Sequence, residues 1–136
     1  MTFMTWNDKL SVGVASIDED HRKLIGLIDE LYEGLQSGHS KEVLCGVLDR
    51  LVDYTQYHFE REEGFLRKTG YPEIAEHKKE HDTMTEWVLD VHKQYKNGTL
   101  VAPTLEVMNY LKDWLYDHIL GSDQKYSFHL HAKGIR

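Results

Sequence analysis

Apolar residues along this chain recur at alternating steps of three and four, with charged residues between them, over four separate stretches. That period is the signature of amphipathic helices, each with one buried stripe. The first stretch should begin near Ser16, whose hydroxyl and Glu19 have capping-box spacing, and stop at Ser37-Gly38. Its stripe reads Ile17, His21, Leu24, Ile28, Leu31, Leu35. The second runs from about Ser40 to Lys68 and ends at Thr69-Gly70, with Leu44, Leu48, Leu51, Thr55, His58, Glu62 and Phe65 on one face. The third begins at Tyr71-Pro72, where proline suits a first helical turn, and ends at Asn97-Gly98. Ile74, His77, His81, Met84, Val88, Val91 and Tyr95 share its buried face. The fourth starts near Pro103 and carries Met108, Leu111, Leu115 and His118 before Gly121 loosens it.

Short links between such helices favour antiparallel neighbours, so the expected fold is all-α, an up-down-up-down four-helix bundle. Residues 1–17 form an N-terminal arm, and a short C-terminal tail follows from about Tyr126; the pattern places neither. No strand pattern or internal repeat is present. With 136 residues, a single domain spanning 1–136 is expected.

Polar residues on the apolar stripes change this picture. In an antiparallel bundle His58 and Glu62 come to the same end as His77 and His81, and His21 and His118 join them there. Each intrahelical pair is four residues apart, which directs both side chains toward one point. A single such histidine is most simply a hydrogen-bonded core residue. Five imidazoles and a carboxylate facing one apolar interior are different, because each buried unpaired polar group costs about 1–3 kcal/mol. A metal site resolves the conflict, and nitrogen and oxygen donors without thiolate point to iron, manganese or zinc. Six donors exceed the four that zinc usually takes, so two ions are expected. Asp123 adds a further donor if the helix widens or ends after His118, a deformation that Gly121 eases. Two six-coordinate ions sharing both carboxylates and a solvent oxygen would keep one coordination position open.

These residues, His21, then His58-Phe-Glu-Arg-Glu62, then His77-Lys-Lys-Glu-His81, then His118-Ile-Leu-Gly-Ser-Asp123, resemble the hemerythrin family. The resemblance extends from Trp6 and the Val12-Gly13-Val14 and Ile17-Asp18 approach through Tyr126, nearly the whole chain. It implies two iron ions with an oxo or hydroxo bridge. His77, His81 and His118 would hold one iron, His21 and His58 the other, and Glu62 and Asp123 would bridge. Dioxygen would bind reversibly at the five-coordinate iron, for storage, transport or delivery, without enzymatic turnover. The pocket would be lined by Trp114, Leu115 and Ile119, and Tyr126 would cap the site or simply pack.

Other readings stay open at this level. An oxygen or nitric oxide sensing module would use the same site, acting with a regulatory partner; a delivery role calls for an oxygen-consuming enzyme. A di-iron oxidase or iron-storage protein would carry more carboxylates. His77-Lys-Lys-Glu80-His81 also fits the inverted zinc-peptidase pattern, but with Glu80 on a face turned from the core. Glu60 and Glu63 read as a solvated acidic run around Glu62. His39, His92, His129 and His131 read as surface residues, the last two able to take up adventitious metal, and Cys45 as a small flanking hydrophobe.

Charge and composition exclude some partners. Sixteen basic against 23 acidic residues give a net charge of -7, which disfavours nucleic acid. No apolar run reaches the roughly 20 residues that span a bilayer, so direct membrane insertion is not expected. One cysteine and a start lacking a basic, then apolar, leader pattern suggest a cytoplasmic protein. The pattern leaves oligomeric state open.

Overall fold

The computed structural model describes residues 3–100 and 103–136. After a short 3₁₀ turn at Asp8–Leu10 come α1 (Ala15–Gln36), α2 (Lys41–Thr69), α3 (Ile74–Lys96) and α4 (Leu105–His118). A π-type turn, Ile119–Asp123, leads directly into α5 (Gln124–Ala132). The four long helices form the all-α bundle expected from the pattern. Every expected stripe residue is buried except Leu35, Phe65, Ile74 and Val91, which are half-buried at the stripe margins.

Helix ends follow local chemistry. Ser40 Oγ accepts from the Val43 amide at 3.3 Å and starts α2. Gly70, at φ 68°, ends it in the left-handed conformation, with the Tyr71 amide donating to Leu66 O at 3.0 Å. At α1 the expected capping box is absent, because Ser16 lies inside the helix and Val14 occupies the cap position without a side-chain bond. Asp18, in the first turn, instead ties down the preceding arm: its carboxylate accepts from Ser11 Oγ at 2.5 Å and from the Val12 amide at 2.8 Å. The third and fourth helices start slightly later than expected, after Pro72 and Pro103. Thr104 Oγ1 caps α4 by accepting from the Val107 amide at 3.2 Å.

The arm and tail are built into the fold. Met1 and Thr2 lie outside the described residues, but Phe3 and Met4 donate their amides to Asp29, and Phe3 stacks on Tyr32 at 4.1 Å. Further along, Val12 and Val14 pack with Ile17, Leu66, Tyr126 and Leu130 in a second apolar cluster. The tail continues the helical course of α4 and clasps the arm: Gln124 donates to Ser11 O, Ser127 to Val12 O, and His131 Nε2 lies 2.8 Å from Gly13 O. Gly13 has φ +72°, and a Cβ there would sit 2.4 Å from the His131 ring, so the close approach needs glycine. This second cluster closes the bundle at the end where the polar stripe residues meet, while the larger core fills the rest. Cys45 packs against that larger core, half-buried.

Candidate metal centre

The seven polar residues singled out in the sequence converge. His21 comes from α1, His58 and Glu62 from α2, His77 and His81 from α3, His118 from the last turn of α4, and Asp123 from the end of the π-type turn. All seven are buried, with at most 4 % exposure. Five residues along an α-helix overshoot a full turn by about 140°, which would carry Asp123 away from His118. The wider π-type turn reduces that offset, and His118 Nε2 lies 3.1 Å from Asp123 Oδ1. Gly121 is not the cause. Its φ is not positive, and a Cβ at that position would meet nothing within 4 Å.

The cluster divides in two around shared carboxylates. Glu62, His77, His81, His118 and Asp123 can present donor atoms all within 4.8 Å of one another, and so can His21, His58, Glu62 and Asp123. Each carboxylate turns one oxygen to each set. Glu62 Oε1 faces His77 and lies 3.0 Å from His81 Nε2, while Oε2 lies 3.2 Å from His58 Nε2. Asp123 Oδ1 lies 3.2 Å from His77 Nε2, while Oδ2 lies 3.1 Å from His21 Nε2.

The donor set fits metal better than it fits itself. Both ring nitrogens of His21 and both carboxylate oxygens of Asp123 are buried without a hydrogen-bond partner, although His21 Nε2 and Asp123 are close. Donor atoms this close, and left unpaired, are what a bound cation would satisfy. Protonation tells the same story. Burial disfavours the imidazolium of His21, yet Asp123 and Glu62 push its pKa up to about 9. Against the same burial penalty, Asp123 and Glu62 push His77 up to about 10. Burial works to raise the pKa of Glu62, but the charge of His58 and the neighbouring His21 and His77 hold it well below the usual carboxylate range. Two buried anions therefore require positive charge, which metal cations supply with the imidazoles neutral.

Three imidazoles are steered from behind. His58 Nδ1 lies 3.1 Å from Asp20, which also accepts from Tyr54 OH at 2.7 Å and pairs with Arg61 at 3.3 Å. His81 Nδ1 lies 2.8 Å from Glu63, and His118 Nδ1 lies 3.2 Å from Glu80. Such carboxylates fix the tautomer and the ring direction of a ligating histidine. One expectation is corrected here. Glu63 is buried against His81 and is not part of a solvated run, though Glu60 is exposed. Glu80 is exposed, as expected of a face turned from the core, yet its carboxylate reaches His118 and accepts from Ser122 at 2.8 Å. Sequence reasoning missed Asp20, Glu63 and Glu80 as positioning groups. The available signal was an acid immediately beside His21, Glu62 and His81.

The apolar surroundings are equally specific. Phe59 stacks on His81 with ring centres 3.8 Å apart, and Trp114 stacks on His118 at 4.5 Å. Both aromatics, with Thr55, Met84, Leu111 and Leu115, line an apolar cavity of about 20 Å³. Ile119 is fully buried in the same core but is not among the residues lining that cavity. Tyr126 does more than pack: its hydroxyl donates to Glu62 Oε2 at 2.8 Å. Burial, together with the charges of Asp123 and Glu62, raises its pKa well above normal, which keeps it a donor. Of the histidines read as surface residues, His39 is exposed, but His92 pairs with Asp49 and His129 lies 3.1 Å from Thr69 O. With His131 on Gly13, both tail histidines are occupied in holding the fold.

A helical bundle with a buried histidine–carboxylate cluster able to hold metal defines the class of this protein. The chain belongs to the hemerythrin family, matching the hemerythrin HHE cation binding domain over residues 12–127. It is 33% identical over 127 residues to a bacteriohemerythrin of Stenotrophomonas maltophilia, covering 93% of this chain and 81% of that protein. A bacteriohemerythrin of Methylococcus capsulatus is 30% identical, with 93% and 95% covered. A crystal structure of wild-type hemerythrin superposes with a TM-score of 0.89 at 29% identity, covering 94% of this chain and 98% of that one.

Proposed function

We propose that the chain binds dioxygen reversibly at a pair of iron ions, as a carrier or store and not as an enzyme. The observation that carries this reading is the two-part cluster sharing Glu62 and Asp123, with three imidazoles on one side and two on the other. His77, His81 and His118 would hold one ion, His21 and His58 the second, and the shared carboxylates both. A reduced iron pair supplies, when bound, an open coordination position and the electrons for reversible dioxygen binding. The chain's own residues set the conditions. Asp20, Glu63 and Glu80 orient three rings, and Tyr126 fixes Glu62. Phe59, Trp114 and Leu115 keep the neighbouring cavity apolar, which limits the water and protons near the centre.

The peptidase reading loses its general base, since Glu80 is engaged by His118 and Ser122. A ratio of five imidazoles to two carboxylates also supports reversible binding over an oxidase or storage site. Among the described residues, no helix is long and apolar enough to cross a membrane. A cytoplasmic setting is part of the proposal, motivated by the single cysteine, which forms no internal disulfide.

Metal analysis joined to visible spectra of the anaerobically reduced protein before and after air tests the proposal. We expect two irons per chain, a spectrum that appears with air and disappears on deoxygenation, and a sharply lower iron content in His77→Ala. One zinc and no iron after iron-replete expression would overturn it.

A further inference from the structure

His58, His81 and His118 each have a carboxylate on Nδ1, whereas His21 and His77 do not. His21 is sealed, at 0 % exposure. His77, at 3 %, forms the inner wall of a surface depression of about 20 Å³, and among the described residues its Nδ1 makes no hydrogen bond. Glu73, just before α3, and Glu76 and Glu80 within it line the same depression, together with Ser122 and Lys125. The apolar cavity beside Phe59 and Trp114, by contrast, is lined by none of the seven buried donors.

We propose that the depression is the port through which the centre is loaded, taking a hydrated divalent cation such as Fe2+ from solvent to the buried donors at His77. The proposal rests on the metal-binding reading above. Carboxylate oxygens at the rim suit a hard cation that must exchange its waters stepwise. Three acids grouped over one opening focus the field of a protein already at net charge -7. Glu80 links rim to centre, since it touches both Ser122 at the surface and the buried His118. His77 is the inner gate because its ring, unlike those of the three tethered histidines, is not anchored from behind. Lys125 opposes the cation and tempers the rate.

The test mixes the chelator-stripped 136-residue chain with Fe2+ anaerobically at low ionic strength, quenches with excess chelator at timed intervals, and measures retained iron. The double variant Glu73→Gln/Glu76→Gln should load about tenfold more slowly but reach the same final iron content, with the difference shrinking as salt is added. Lys125→Gln should load faster. Glu86→Gln removes one charge from an exposed position of α3 outside the depression and should load at the wild-type rate. A folded double variant that loads at the wild-type rate overturns the port, as does equal slowing in Glu86→Gln, which would make net charge the cause. Wild-type protein that retains no iron at any time would instead overturn the metal reading itself.

Discussion

At the scale of single residues, the chemistry depends on which side chains hold donors and which keep water away. Leu115 separates these roles. It is 5 % exposed, lines the apolar cavity beside Phe59 and Trp114, and donates nothing to the cluster. Leu115→Ala removes buried methyl groups at a cost of about 2–5 kcal/mol and enlarges a cavity already near the size that admits one water. Iron content should be unchanged, while the oxygenated spectrum should decay several-fold faster, because water carries protons to the ligand. Time scans after oxygenation check this, with circular dichroism and metal analysis in parallel. An unchanged decay rate in a folded, loaded variant would reduce Leu115 to a packing residue. The donors themselves were legible in the sequence because four-residue spacing on one helix fixes a shared face. Asp20, Glu63 and Glu80 were not, because each acts on a histidine of a different helix. Periodicity within one helix carries no information about such pairs.

At the scale of elements, the helices were legible from their stripes and the π-type turn only from its consequence. His118 and Asp123 could serve one site only if the helix widened between them, and it does at Ile119–Asp123. The sequence suggested Gly121 as the enabling residue, but glycine's freedom matters where φ is positive or a neighbour crowds the Cβ, and neither holds there. The turn is set instead by what flanks it. Asp123 is held in the cluster, Ser122 is bonded to Glu80, and the following residues of α5 are clasped to the arm. Gly121→Ala should therefore keep the iron content of the wild type and gain up to about 1 kcal/mol of stability from reduced freedom in the unfolded chain. Thermal melting and metal analysis decide it. Loss of iron in that variant would return the turn to glycine. The clasp itself was beyond the pattern, since arm and tail lack a periodic stripe and find each other only in three dimensions.

At the scale of the whole molecule, the centre ties stability to pH and metal. Four helices and the tail meet at seven buried donors, so their charge state bears on the whole bundle. In chelator-stripped protein, His21 and His77 have pKa values of about 9 and about 10, above the usual value of 6.5. A histidine whose pKa is raised by folding stabilises the folded state fully below 6.5, and that contribution fades as pH rises through the folded values. Glu62 and Asp123 are depressed, so their contribution persists until strong acid protonates them. Stripped protein should therefore be more stable at pH 6 than at pH 9, where two buried anions lose their compensating imidazolium charges. Iron reverses this dependence. Cations bind neutral imidazoles, so raising the pH favours loading, and a ligand that binds only the folded state adds stability. The gain in melting temperature on adding iron should accordingly be larger at pH 9 than at pH 6. Melting curves of stripped and loaded protein at both pH values, taken anaerobically, measure the four quantities needed. A stripped protein that melts higher at pH 9 would show that the imidazoles are neutral without metal, and that Glu62 and Asp123 do not hold His21 and His77 protonated as the geometry dictates.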